Sequence, residues 1–156
     1  MAAPDKPVEA VEDLLEEVVR GLGLDATIEV SDDGETVTGT VHGDDLGLFI
    51  GRHGQTIDAV QHIAQRIAGA RAGEGRRIVI DAEGYRERRE TMLHRQADHA
   101  ADDALRSGRP VALDAMTASE RRLVHEYLRD HDEVQTYSEG DEPDRHLVVA
   151  PVDAPS

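Results

Sequence analysis

The sequence predicts an α+β fold divided into two small domains joined by a long helix, and three observations lead there. Alternation marks a strand at 26–31, and further strands are read at 35–42 and 76–81, beside helical periodicity at 8–20 and 55–69. A strongly charged helical stretch at 84–106 carries a thin apolar stripe. Beyond it, a helix opened by a capping box and three short strands form a second set of elements.

In chain order, Val8, Val11, Leu14, Leu15, Val18 and Val19 give the first helix its apolar face, and Gly21 and Gly23 stop it. Ala26–Ser31 alternates as a strand. Asp32-Asp33-Gly34 supplies a turn, and Glu35–His42 returns as the second strand of a hairpin. A short helix at 44–50 leads into a glycine step. A longer helix at 55–69 places Ile57, Val60, Ile63, Ala64 and Ile67 on one stripe, and Arg76–Asp81 is a third strand. The first unit therefore runs αββααβ over residues 8–82.

Residues 83–107 form the connecting helix, with Leu93, Ala97, Ala100 and Ala104 as its stripe and the remainder as a solvated spacer. The second unit covers 108–151. Val111–Leu113 is a short strand, and Thr117-Ala-Ser-Glu120 is a capping box opening a helix to about Asp130. In that helix Leu123, Val124, Tyr127 and Leu128 make the buried face. Val134–Ser138 and Leu147–Ala150 are strands across the acidic turn Glu139–Asp144, and the last six residues are expected to be loose.

Composition narrows the function. There is no cysteine, and so no disulfide framework, thiol nucleophile or cysteine-based zinc site. The first residues lack the apolar core of a signal peptide, and no segment has the length of a membrane span. A cytoplasmic location without membrane insertion is expected. Net charge is −16, which taken globally disfavours nucleic acid. The charge is uneven, however. Residues 1–50 carry 2 basic and 13 acidic residues, and residues 78–156 carry 10 and 18. Residues 51–77 carry five arginines (52, 66, 71, 76, 77) against Asp58 and Glu74. With screening over about 8 Å at cellular salt, such a local patch still attracts an anion.

That basic segment begins with Phe-Ile-Gly-Arg-His-Gly-Gln-Thr-Ile at 49–57. Gly51 and Gly54 let the backbone turn sharply and approach a ligand closely. Arg52 and His53 between them can donate to phosphate oxygens. A Gly-x-x-Gly step between two helices is the recipe of a clamp for a single-stranded nucleic-acid backbone. A helix corner whose glycines serve packing alone is the competing reading.

A second donor cluster lies on the helix at 118–130. At about 100° per residue, Arg121 and His125 are about 40° apart, and Arg122 and Arg129 continue the same face. Four donors projecting from one side suit phosphate oxygens, and a neutral histidine can pack on a base. An ordinary solvated helix face is the alternative here.

The second cluster carries a specific resemblance. Thr-Ala-Ser-Glu-Arg-Arg-Leu-Val-His-Glu-Tyr-Leu from Thr117, then Val-Gln-Thr-Tyr-Ser to Ser138, resembles the Arg-x-x-x-His domain, a single-stranded nucleic-acid-binding module, with Arg121 and His125 as the name-giving pair. Ser138-Glu-Gly-Asp and Arg145 resemble the polar turn that follows in that domain. The first unit resembles a KH domain of the bacterial, type II order. A KH unit, then Asp81-Ala-Glu-Gly-Tyr-Arg86, a long helix and an Arg-x-x-x-His unit is the arrangement of the Jag, or SpoIIIJ-associated, proteins, also called KhpB. The match covers roughly residues 8–151.

The resemblance implies a cytoplasmic bacterial RNA-binding protein, a post-transcriptional regulator or RNA chaperone influencing cell elongation and division. Single-stranded RNA would be held by Gly51, Arg52, His53, Gly54, Gln55, Arg121, Arg122, His125, Arg129 and Arg145. Some members pair with a small single-domain KH protein, and many carry a further N-terminal domain ahead of the KH unit. Many also have two long basic residues at the loop centre. Arg52 and His53 in their place imply weaker or pH-sensitive RNA contact.

Catalysis is not expected. His94 with Asp98 and His99 with Asp103 are spaced i,i+4, but a structural zinc site needs about four placed ligands. No phosphate-binding lysine loop, nucleophile elbow or paired metal histidines appear. Neither a cofactor nor a small-molecule substrate is expected. The other reading, from the overall acidity, is a protein-interaction adaptor with weak or lost RNA binding.

Overall fold

The computed structural model describes residues 6–72 and 76–153. Glu74 and residues 154–156, part of the tail expected to be loose, lie outside them, as does the side chain of Arg71. The chain divides after Arg86 into two compact units.

The first unit has the predicted αββααβ order: α1 (Lys6–Gly21), β1 (Thr27–Asp32), β2 (Thr36–His42), α2 (Gly47–Ile50), α3 (Gln55–Ala72) and β3 (Arg77–Ala82). The hairpin pairs β1 and β2 antiparallel, and β3 adds to β2 in parallel, giving the sheet order β1-β2-β3. Its turn closes through carboxylates. Asp33 accepts from the backbone of Glu35 at 2.9 Å and Thr36 at 2.7 Å, and Asp32 accepts from Gly34 at 2.8 Å and from the Arg76 guanidinium. Val11 and Leu15 of α1, Val37 and Val41 of β2, Phe49 of α2, Ile57 of α3 and Ile78 and Ile80 of β3 fill one core.

The α3 stripe differs from expectation. Ile57, Val60, Ala64 and Ala68 are buried, while Ile63 and Ile67 are 44% and 40% exposed. At about 100° per residue Ile63 lies about 120° from Ile57, past the edge of a one-sided contact with a sheet.

The opposite flank of α3 has a task the alternation pattern did not show. β3 is an edge strand, and its outer edge is closed by side chains. Gln65 accepts from Ile78 N at 3.0 Å and donates to Arg76 O at 3.4 Å. Gln61 accepts from Ile80 N at 2.6 Å and donates to Ile78 O. Arg86 Nε donates to Ile80 O at 2.7 Å. Two carboxamides one helical turn apart thus stand in for a fourth strand, and the edge offers those groups to no incoming chain.

The second unit contains most of α4 (Tyr85–Ser107), then β4 (Val111–Ala112), α5 (Ala118–Leu128), β5 (Val134–Glu139) and β6 (His146–Pro151). Its sheet is antiparallel in the order β4-β6-β5. The connecting helix is more than a spacer. Leu93, Ala97, Ala100 and Ala101 pack with Met116, Val124, Leu128, Val134, Leu147 and Val149 in the second core. Small side chains on α4 allow close approach where the sequence showed a weak stripe. The capping box forms as expected, with Thr117 Oγ1 accepting from Glu120 N at 3.3 Å. Glu120 does more: it is buried and takes both Arg89 Nε at 2.8 Å and Arg89 Nη2 at 3.2 Å, a two-pronged tie between α4 and α5. α5 ends at Leu128, two residues before the expected end. Among the described residues no helix is long and apolar enough to cross a membrane.

Candidate nucleic-acid interface

The first candidate surface is the glycine step between α2 and α3. Gly51 stops α2 at φ 76, and its N–H donates to Gly47 O at 2.8 Å. Arg52–Gly54 form one tight 3-10 turn. A Cβ on Gly51 would stand 2.7 Å from Thr56 Cβ and 2.8 Å from Thr56 N, so no side chain fits there. Gly54 has φ 77, and a Cβ there would stand 2.7 Å from the Tyr85 hydroxyl oxygen. His53 is left-handed without being glycine, at φ 56 and ψ 23. Such a conformation is uncommon for a residue with a Cβ and is held by its surroundings. Arg52 and Gln55 are exposed, His53 is half-buried and Gly54 is buried.

The six residues from Asp81 to Arg86 reach the glycine step, the end of β2 and the first turn of α3. Asp81 accepts from Ala82 N at 2.8 Å and Arg86 N at 3.2 Å. Glu83, at φ 47, accepts from Gly43 N at 3.0 Å and lies 3.3 Å from His42 Nδ1. Tyr85 lies against Gly54, and Arg86 reaches Asp58 in the first turn of α3 at 3.1 Å. A stretch that in sequence marked only a resemblance thus braces both ends of the loop–helix junction.

The second candidate surface is a groove of about 460 Å³ between α5 and β5, lined by Arg121, Arg122, His125, Thr136, Ser138 and Arg145 among others. Four of the sequence-derived residues meet there. They differ in how free they are. His125 is exposed, and its Nδ1 hydrogen-bonds the Thr136 hydroxyl. Arg122 is 81% exposed and pairs with Glu126 at 3.1 Å, one turn along. Arg145 Nη1 donates to Gly140 O at 2.6 Å, which orders the acidic turn.

Arg121 departs from the expectation of four projecting donors. Its side chain is 10% exposed, and it donates from Nη1 to Met116 O at 2.6 Å and from Nη2 to Glu142 Oε1 at 2.8 Å. The reason is angular: Arg121 lies about 20° around the helix from Leu128, inside the buried arc. It forms part of the groove floor. Arg129 follows the last residue of α5, is exposed, and is not among the groove residues.

Tyr127, expected in the core, is 40% exposed. It faces α4, where its ring stacks on His94 with centroids 3.9 Å apart and its hydroxyl donates to Asp98 at 3.0 Å. The His94 and Asp98 pair weighed as metal ligands is therefore engaged by one tyrosine.

Known proteins match both units. Residues 8–80 match the KH domain of KhpA and KhpB. Residues 91–151 match the R-3-H (Arg-x-x-x-His) domain. The chain belongs to the KhpB family. It is 38% identical over 149 residues to the RNA-binding protein KhpB of Lactiplantibacillus plantarum, covering 96% of this chain and 46% of that protein. It is 32% identical over 146 residues to the KhpB of Clostridium symbiosum, covering 94% of this chain and 65% of the relative. The Bacillus subtilis KhpB is 28% identical over 146 residues, covering 92% and 70%. The chain thus spans about half to two thirds of the length of the first two KhpB relatives.

Proposed function

We propose that the chain binds single-stranded RNA through two separate contacts. The Gly51–Gly54 loop takes the sugar-phosphate backbone, with Arg52, His53 and Gln55 as donors. The α5–β5 groove takes a further stretch through Arg122, His125 and Arg145, over a floor set by Arg121, with Arg129 extending the track. The observation that carries the reading is the loop itself. Both glycines sit at positive φ in places where a Cβ has no room, and an exposed arginine stands between them. That arrangement leaves backbone open to close approach by an anion. The relatives, named as RNA-binding proteins, support it. No catalytic step belongs to this reading.

The finer role that goes with it is post-transcriptional control, or RNA chaperoning, in the bacterial cytoplasm, affecting cell elongation and division, alongside a small single-domain KH protein. A second reading, an acidic adaptor, draws on the net charge of −16 and on Leu48, Ile63 and Ile67 exposed on the first unit. Sequencing of RNA crosslinked to the chain in its own cell separates the two. The Arg52→Asp, His53→Asp double variant should lose most crosslinked RNA. An adaptor would yield the same sparse background with either chain.

A further inference from the structure

In the α5–β5 groove a buried cation is fixed by one bond and neutralised by another that is easily exchanged. Met116 O holds Arg121 Nη1 at 2.6 Å, inside the unit. Glu142 holds Nη2 at 2.8 Å, but its own side chain is 62% exposed, on the acidic turn between β5 and β6. The two halves of the pair are thus unequal. Arg121 cannot leave without abandoning a buried carbonyl, whereas Glu142 can swing into water at small cost, as exposed partners of ion pairs do. A phosphodiester oxygen can accept from the same guanidinium N–H as a carboxylate oxygen. Arg122, His125 and Arg145 line the same groove.

Resting on the reading of this groove as an RNA contact, we infer that Glu142 is a resident competitor for RNA. Its carboxylate holds the place on Arg121 that a backbone phosphate of the bound strand takes, and it sets the affinity of the second unit from within the chain. Binding exchanges one oxyanion for another on a cation that stays in place.

The test is the affinity of the full chain for a short single-stranded RNA, with Glu142→Gln compared with Asp141→Asn. Both remove one charge from the same turn, and the Asp141 side chain has no part in the Arg121 pair. Glu142→Gln should bind about three- to tenfold tighter at about 0.1 M salt, and Asp141→Asn by less than about twofold. Equal gains in the two variants would reduce the effect to general charge and overturn the inference. So would unchanged or weaker binding by a folded Glu142→Gln. If that variant does not fold, Glu142→Asp, which withdraws the carboxylate by one methylene and keeps its charge, should still tighten binding, and no gain overturns the inference. Wild type that binds with a variant no tighter sinks the competitor alone. No binding by either sinks the RNA reading as well.

Discussion

Gly54 lies directly against the hydroxyl of Tyr85: a Cβ built on the glycine would stand 2.7 Å from the phenolic oxygen. The loop proposed to hold RNA is thereby locked from behind by the first residue of α4. The proposed RNA contact asks for a backbone held in place with an open face, and the tyrosine hydroxyl stands directly behind it.

Gly54→Ala should accordingly lose stability twice over. The left-handed backbone costs about 1–2 kcal/mol for a residue with a Cβ. The contact with Tyr85 should add about 1–3 kcal/mol, the usual range for overpacking. Gly34→Ala isolates the first term, since φ there is 94 and nothing stands within 4 Å of the added Cβ. Adding Tyr85→Phe to Gly54→Ala removes the near oxygen and should recover part of the second term. Denaturant unfolding of the single and double variants gives the coupling. Equal losses for Gly34→Ala and Gly54→Ala would mean that the tyrosine does not brace the loop.

Arg121→Ala should be read mainly as a stability variant. It leaves the buried Met116 O without its donor, while the exposed Glu142 simply rehydrates, for a loss of about 1–3 kcal/mol. Arg122→Ala, at an exposed i,i+4 pair, should change stability by less than about 0.5 kcal/mol while weakening RNA binding. Thermal or denaturant melting beside binding at a temperature where both variants are folded tells the two roles apart. The reverse ordering of stability losses would place Arg121 on the surface after all.

What the sequence showed and what it concealed follow from distance along the chain. The hairpin turn at 32–34, the glycine step and the capping box from Thr117 are local: most of their hydrogen bonds join residues two to four apart, and composition reports them. The Arg121–Glu142 pair joins residues on either side of β5, and nothing within α5 announces it. Gln61 and Gln65 read as neutral positions until the parallel pairing of β2 and β3 puts a bare strand edge beside α3. Tyr127 belongs by helical spacing with the apolar residues of α5. Its place is set instead by His94 and Asp98 on another helix. Ile63 and Ile67 show a further cost of reasoning by stripe: a helix on a sheet buries a narrower arc than apolar residues span.

Acid should reach the first unit through its hairpin turn. The Arg76 guanidinium, then the Gly34 amide, hold the Asp32 carboxyl below the usual carboxylate range. The Thr36 amide, then that of Glu35, do the same for Asp33. A carboxyl with a lowered folded-state pKa favours the folded chain above its unfolded value, near 3.9, and that contribution is lost as pH falls through the lowered folded value. Stability should be insensitive to this turn between about pH 5 and 8 and should fall below about pH 4. Asp33→Asn should be less stable at neutral pH and lose less on acidification. Parallel pH profiles for wild type and variant would remove the turn from the acid response.

Salt dependence measures how many phosphates the chain contacts. The loop offers Arg52 and His53, and the groove offers Arg122, His125 and Arg145, in a molecule of net charge −16. Roughly three to five simultaneous contacts would give a slope of log affinity against log salt of about −2 to −4 on single-stranded RNA, at roughly −0.7 per contact. Arg52→Asp with His53→Asp should flatten the slope by about 1 to 2 and lower the affinity, while melting as wild type does, since neither side chain belongs to the core. Duplex DNA should bind more weakly than single-stranded RNA, because a clamp of this kind accepts unpaired bases and a flexible backbone. Fluorescence anisotropy across a salt series with single-stranded RNA and duplex DNA of equal length measures all three quantities. Tight, steeply salt-dependent binding to the duplex would point to a basic surface that neither the loop nor the groove provides.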